Sequence, residues 1–294
     1  MVVVAPKRRK RRERYRSGVQ SVDVVSRAAL EVHRRLYRGA EEWHPEVRDK
    51  PATLKELLRA EAKLEAAIAS WMRDVGAWIM REVPGSSSPS SVESMNWSRW
   101  HTRFVDETHE ARQSIMKAGI EDAREELLQK TPRRAIAKQQ GPAVLLDWSV
   151  DSPVVQKFLA DDSLTLAKGL TKTTKGNIRN VLSRARADGL GIPETATRIN
   201  AKVVGMSTWR ARMIAQTETI RGYTQGALKT YKAAGVEQKE WLDGQAGADV
   251  QCQDLDGQVV DLEDSFEGGL DGPPAHVRCR CAVRAVIGEG LPTK

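Results

Sequence analysis

The chain has 294 residues, of which 40% are hydrophobic and 29% charged, with a formal net charge of +8. That length is enough for two domains, and the balance is ordinary for a soluble helical protein. No apolar run approaches the ~20 residues needed to cross a bilayer, so no membrane partner is expected. Val2-Val3-Val4 is also too short for the core of a secretion signal and is followed by basic residues.

The charge is unevenly spread. Residues 7–16 hold eight basic side chains and one acidic, whereas residues 236–274 hold eleven acidic and one basic. The amino-terminal arm, with Arg8, Arg9, Lys10, Arg11, Arg12 and Arg14, is therefore expected to be partly disordered through self-repulsion. It is the candidate contact for nucleic-acid phosphates or for an acidic protein surface such as a portal. Neutralising about seven phosphates would give a salt slope near −6. Tyr15 is the only aromatic interleaved with these cations, so such binding would ignore base sequence.

A long amphipathic helix is predicted from Thr53 to about Arg81. Leu54, Leu57, Leu58, Leu64, Ile68, Trp71, Met72, Val75, Trp78 and Ile79 follow helical spacing, and Thr53 with Glu56 reads as a capping box. Its tryptophans read as core anchors. Pro84 through Ser91 breaks that helix and reads as a linker. A second helix is predicted from Trp97 to about Gln129, with His101 and His109 as surface residues.

Breaks at Thr131-Pro132 and Gly141-Pro142 precede a helix that Ser152 caps and Pro153 starts. A further helix ends near Asp188-Gly189, and Pro193 opens a short one after it. From Ser207 to about Ala234 a further helix carries the stripe Trp209, Met213, Ile220, Ala227 and Tyr231, interrupted by Gln216 and Thr217. If buried, these polar groups need hydrogen-bond partners, most simply the backbone of a following sheet. Glu218 and Arg221 can pair at i, i+3.

Beyond Gly235 the chain changes to short strands and turns, with turn signals at Asp243-Gly244, Asp256-Gly257 and Asp271-Gly272. Trp241, Val259, Val260, Leu262, Phe266 and residues 282–287 are the predicted apolar faces. The fold class is mainly α, with a helical amino-terminal half and a small α+β carboxy-terminal domain in which helices precede an antiparallel sheet.

All three cysteines, Cys252, Cys279 and Cys281, fall in this region together with His276. Thiols and an imidazole gathered so closely suit a zinc-pinned loop, and three reduced, partly buried thiols beside a surface histidine are the alternative. Cys279 and Cys281 share a face in extended chain if Arg280 points away. The His-x-x-Cys spacing needs a turn, approached through Pro273-Pro274. Cys252 would come from a separate turn beside a tight hairpin at Asp256-Gly257.

Several motifs occur in one order. They are Ile214-Ala215-Gln216-Thr217-Glu218-Thr219, Gly235, Lys239-Glu240-Trp241, Leu255-Asp256-Gly257, and Pro273 through Cys281 with Pro-Pro-x-His-x-x-Cys-Arg-Cys. Over roughly residues 185–285 the chain resembles the phage head morphogenesis family, the Mu F-like minor head proteins. The resemblance implies that Thr217, Glu218, Trp241, Asp256 and Gly257 belong to a structural family core. It implies zinc on Cys252, His276, Cys279 and Cys281. Many members have Cys-x-x-Cys where this chain has Asp249-Val250-Gln251-Cys252, so Asp249 is the candidate fifth ligand. The arginine often found before Thr-Glu is Gln216 here, which removes a charge that could have paired with Glu218.

The resemblance implies a structural minor head protein of a tailed bacteriophage, acting at or near the portal in capsid assembly, DNA packaging or ejection. Its partners would be portal, capsid or scaffold proteins, and its place the virion head, assembled in the host bacterial cytoplasm. The expected organisation is a basic arm at 1–50, a helical region at 51–142 with the linker at 84–91, and the Mu F-like domain at 143–294. No catalytic residue is expected, because no nucleophile and base pair up. The alternatives are a zinc-dependent hydrolase or nuclease and a non-specific DNA-binding regulator. A deaminase would need His-x-Glu followed by Pro-Cys-x-x-Cys, which the sequence does not contain.

Overall fold

The structure, a computed structural model, describes residues 47, 49–83, 89–130, 148–203, 207–244 and 249–287. The basic arm, the breaks at Thr131-Pro132 and Gly141-Pro142, and Pro84–Ser88 of the Ser/Pro segment lie outside the described residues. Helices come first: α1 (Pro51–Glu82), a 3-10 turn at Pro89–Val92, α2 (Ser98–Lys130), α3 (Pro153–Ala187), α4 (Ile192–Val203) and α5 (Ser207–Ala233). Then follow β1 (Gln238–Leu242), the short helix α6 (Val250–Leu255), β2 (Val259–Asp261) and β3 (Ala282–Val286). The strands form one antiparallel sheet in the order β2-β1-β3, with Glu240 opposite both Val259 and Arg284. The protein is mainly helical with a small antiparallel sheet near the carboxy terminus, as the sequence predicts.

Local chemistry explains the helix ends. Ser152 caps α3 by accepting from the Val155 N–H, and Pro153 occupies the first turn, where its missing N–H costs nothing. Gly189 (φ 65°) ends α3 in a left-handed turn, with Gly189 N–H donating to Arg186 and Leu190 N–H to Ala185. Gly235 (φ 73°) repeats this pattern after α5, using Lys232 and Tyr231 as acceptors. The capping box read at Thr53 is not formed. Pro51 starts α1 two residues earlier, so Thr53 already lies inside the helix, and Lys50 at the cap makes no side-chain cap bond.

The apolar stripe of α1 packs on α2 through an aromatic layer. Trp71 meets Phe104 edge to face at 5.3 Å between centroids, and Trp78 meets Trp97 at 5.0 Å. The indole N–H of Trp71 donates to the Trp100 carbonyl at 2.8 Å, and that of Trp97 to the Val92 carbonyl at 3.0 Å. Trp71 and Trp97 are thus buried with their polar handles satisfied, whereas the buried Trp100 indole N–H finds no partner among the described residues. His101, expected at the surface, is half-buried instead. Its Nε2 lies 3.0 Å from the Thr171 hydroxyl of α3, because α2 is covered on that side. Burial, and after it the nearby Lys168 and Lys175, push its pKa down.

Helices α2 and α5 cross at unusually close range. A Cβ on Gly119 would lie 2.1 Å from the Tyr223 carbonyl oxygen, and one on Gly226 would lie 2.4 Å from the Met116 carbonyl oxygen. Both obstacles are backbone, which cannot swing aside as a side chain would. Three polar pairs span the same seam: Arg112 with Glu218, Tyr223 with Asp122, and Tyr231 with Glu126. Partners rise together along both helices, so α2 and α5 run in the same direction. Of the α5 stripe read from the sequence, Ile220, Ala227 and Tyr231 are buried as predicted, and Trp209 is not. Trp209 is 59% exposed, whereas Ala211, Ala215, Thr219, Ile220 and Tyr223 are buried. The small residues are inside because the neighbouring helices leave no room for an indole. Among the strand residues predicted apolar and inward, Val259 is exposed because β2 lies at the sheet edge.

The glycines give a paired prediction. Gly119→Ala should lower stability by about 2 kcal/mol or more through overpacking. Gly169→Ala, on the open face of α3 with nothing within 4 Å of the added Cβ, should raise it by about 0.5–1 kcal/mol. Urea denaturation of the two variants checks both signs.

Candidate functional site

The carboxy-terminal elements pack on the end of α5 around Trp241, which is fully buried and edge to face with Phe266 at 5.2 Å. Two backbone bonds tie the Trp241 strand to the Leu-Asp-Gly turn: Trp241 N–H donates to Gln258, and Gly257 N–H donates to Trp241. The Asp256 carboxylate accepts from the Asp243 N–H at 2.9 Å. Asp256-Gly257 therefore turns the chain out of α6 into β2 rather than closing the predicted hairpin between two strands. Gly257 adopts φ 78° there, a left-handed conformation that a residue with a Cβ takes only at a cost.

The three cysteines converge in this core. Cys252 sits on α6, while Cys279 and Cys281 lie just before β3, and all three are buried. Their sulfurs all lie within 4.8 Å of one another, with Cys252 and Cys279 at 3.8 Å. His276 is at the rim, its Nε2 3.1 Å from the Cys252 sulfur and its Nδ1 2.9 Å from the Val277 carbonyl oxygen. Asp249 is not part of the cluster. It is exposed and caps α6, its carboxylate accepting from the Gln251 N–H. Hydrogen bonds from Cys252 and Cys281 draw the Cys279 pKa down, while the contact with Cys279 pushes Cys252 up and the contacts with Cys252 and Cys279 push Cys281 up.

The three thiols fit zinc in kind, and their sulfurs are grouped closely enough to share one ion. A tetrahedral centre with Zn–S bonds of about 2.3 Å separates its sulfurs by roughly 3.8 Å, the separation of Cys252 and Cys279. His276, 3.1 Å from the Cys252 sulfur but outside the mutually close group of thiols, would have to move nearer the other sulfurs to supply the fourth ligand. Such a site is closed and structural, because four protein ligands leave no position for a substrate.

Three long-range contacts hold the loop. Arg278 adopts φ 65° in the His-x-x-Cys turn, and its N–H donates to the Thr217 hydroxyl of α5 at 3.2 Å. That hydroxyl donates in turn to the Met213 carbonyl at 2.8 Å. The partner of Thr217 is therefore this loop, not the sheet expected from sequence, because α5 presents Thr217 to the turn rather than to a strand. Arg280 points away from the sulfurs, as the alternation predicts, and forms a two-pronged buried pair with Glu61 of α1 at 2.9 and 3.1 Å. On the strands, Arg284 pairs with Glu240 opposite it at 2.7 and 2.9 Å.

Glu218 is buried between two arginines. Arg112 of α2 reaches it at 3.2 Å and Arg221 at 3.3 Å, while Arg112 also pairs with Asp162 of α3. The positive partner missing at Gln216 is supplied from another helix. The crevice beside this cluster, lined by Phe158, Asp162, Glu218 and Gln225 among others, holds about 10 Å³, room for about one water.

Residues 176–284 match the family model described as Phage Mu protein F like protein. That is the family the carboxy-terminal motifs resemble. The matched Mu F-like segment starts within α3 and ends within β3, and it includes all three cysteines. No curated protein and no solved structure matches the chain. Among the described residues, no helix is long and apolar enough to cross a membrane.

Two residues that position the Mu F-like core lie before the matched segment and went unpredicted. Glu61 occupies the core stripe of α1, where Leu54, Leu57, Leu64 and Ile68 surround it in sequence. Arg112 interrupts the stripe formed by Phe104, Thr108, Ala111 and Ile115. A lone charge at an apolar position was the signal for each, since such a charge survives burial only with a partner. Glu61→Ala should cost about 3–5 kcal/mol by stranding Arg280, whereas Glu61→Leu with Arg280→Met should recover most of that loss. Urea midpoints of the single and double variants measure the difference.

Proposed function

We propose that the protein is a structural minor head protein of a tailed bacteriophage, acting at or near the portal during capsid assembly. The observation that carries this reading is the Mu F-like match at residues 176–284. The use the fold makes of the motif residues supports a structural role. Glu218 is committed to two arginines, Thr217 to the loop backbone, Asp256 to a turn, and Trp241 to the core. We assign no catalytic residue to them. Portal, capsid or scaffold proteins are the proposed partners, and the amino-terminal arm is the proposed contact with DNA or portal.

Quantitative mass spectrometry of purified DNA-filled particles, empty heads and soluble lysate tests this proposal. Enrichment of the chain at low copy in particles is expected. Its absence from every head form would overturn the assignment as a virion component.

A structural zinc in the cysteine cluster is the second part of the reading, carried by the sulfur spacing. Cys252, Cys279, Cys281 and His276 would hold it, and it would staple a sheet too small to bury much core of its own. Purified protein should contain about one zinc per chain, and Cys279→Ser should lose it together with part of the urea stability. A full-length preparation with no zinc after expression in zinc-supplemented medium would reject the site.

A further inference from the structure

Helix α3 carries a strongly basic face. From Ser163 to Ala187 the sequence has no acidic residue and six cations: Lys168, Lys172, Lys175, Arg179, Arg184 and Arg186. At about 100° per residue, five of them, all but Arg184, fall within roughly 60° of arc. Lys168, Lys172, Arg179 and Arg186 are exposed, and Lys175 is half-buried. From Lys168 to Arg186 the row runs for about 27 Å.

Its surroundings are open and polar. Gly169 and Gly176 have nothing within 4 Å of where a Cβ would stand. Thr165, Thr173, Asn180 and Ser183 put small hydrogen-bonding groups near the cations, and Thr165, Thr173 and Asn180 are exposed. Glu93 faces the row, pairing with Lys175 at 3.1 Å and Arg179 at 3.2 Å. Asp188, just past the helix, is taken up by Arg198 at 2.7 Å. Lys168 and Lys175 also act together on His101, whose pKa their charge helps to lower, which places their field at one spot between α2 and α3.

We propose that this face of α3 contacts the phosphate backbone of duplex DNA without reading base sequence. Duplex DNA matches the row in sign and in form, because it offers a continuous line of charge, one phosphate per about 3.4 Å along each strand. Lysine, arginine, hydroxyl and amide groups are the usual partners of phosphate oxygens, and they fix position without specifying bases. A protein partner would be expected to need a buried apolar anchor. Exposed large apolar residues of α3 and α4 occur at Val154 and Ile192, outside the row. The row lies far from the amino-terminal arm in sequence, and the proposal does not depend on the capsid assignment.

The test uses full-length protein in which Arg8, Arg9, Lys10, Arg11, Arg12 and Arg14 are changed to glutamine, so that the arm does not mask the helix. Binding to two 30-base-pair duplexes of unrelated sequence is measured between 50 and 200 mM salt. The arm-neutralised protein should bind both duplexes equally, and its affinity should fall about a hundredfold across this range, as about four phosphate contacts require. Adding Lys168→Gln, Lys172→Gln, Arg179→Gln and Arg186→Gln should remove this binding while the circular dichroism spectrum is kept. An equal loss of charge on α1, by Lys55→Gln, Arg59→Gln, Arg73→Gln and Arg81→Gln, should leave the slope unchanged.

No binding by the arm-neutralised protein at 50 mM salt would overturn the proposal. So would equal loss in the α1 control, which would reduce the effect to net charge. Tighter binding to polyglutamate than to DNA at equal salt would also overturn it and make the partner an acidic protein. None of these outcomes bears on whether the chain is found in particles.

Discussion

The close approach of α2 and α5 is the constraint from which the remaining contacts follow. Gly119 and Gly226 let the backbones come within reach of each other, where any Cβ would strike a carbonyl oxygen. At that range short polar reaches suffice, and Arg112, Asp122 and Glu126 on one helix meet Glu218, Tyr223 and Tyr231 on the other. The Tyr231 hydroxyl is buried and its pKa lies well above the ordinary value, first because of desolvation and then because Glu126 lies beside it. Glu126 also accepts from the Ala285 N–H of β3 at 3.1 Å, so the same seam seats the sheet.

The cysteine loop is held from outside its own neighbourhood. Thr217 grips the turn from α5, and Glu61 grips Arg280 from α1, more than two hundred residues earlier in the chain. The thiols therefore converge on a frame of helices rather than on the sheet alone. This explains how so small a sheet can position three buried sulfurs, and why a metal would add stability to a site already assembled. Polar motif residues of the kinds that elsewhere carry chemistry serve here as ties between elements. Glu218 is the clearest of them, since both of its carboxylate oxygens face arginines.

Much of this was legible in the chain. Proline and glycine marked both ends of α3 and the end of α5, because those residues act through their own backbone geometry, although α3 is one continuous helix where two were expected. The cysteine and histidine spacing placed three sulfurs together, and alternation about Arg280 gave its opposite direction. The Thr53 cap was misread because Pro51 already opens α1. Trp209 and His101 were misread for one reason. Each depends on what lies across from it, and a helical wheel records spacing without saying which side a neighbour covers. Asp249 looked like a ligand from its place in the motif, yet its own short helix takes its carboxylate as a cap.

The sequence by itself determined the helical pattern, the turn chemistry, the segregation of charge and the ordered motifs of the Mu F-like segment, since these depend on residues near one another in the chain. Only the tertiary structure decided that Glu61 and Arg112 serve the carboxy-terminal core, that Thr217 holds the loop, and that two glycines set the crossing of α2 and α5. These contacts join residues about sixty to more than two hundred positions apart. Their energies depend on burial and on close distance, and neither exists until the helices have packed.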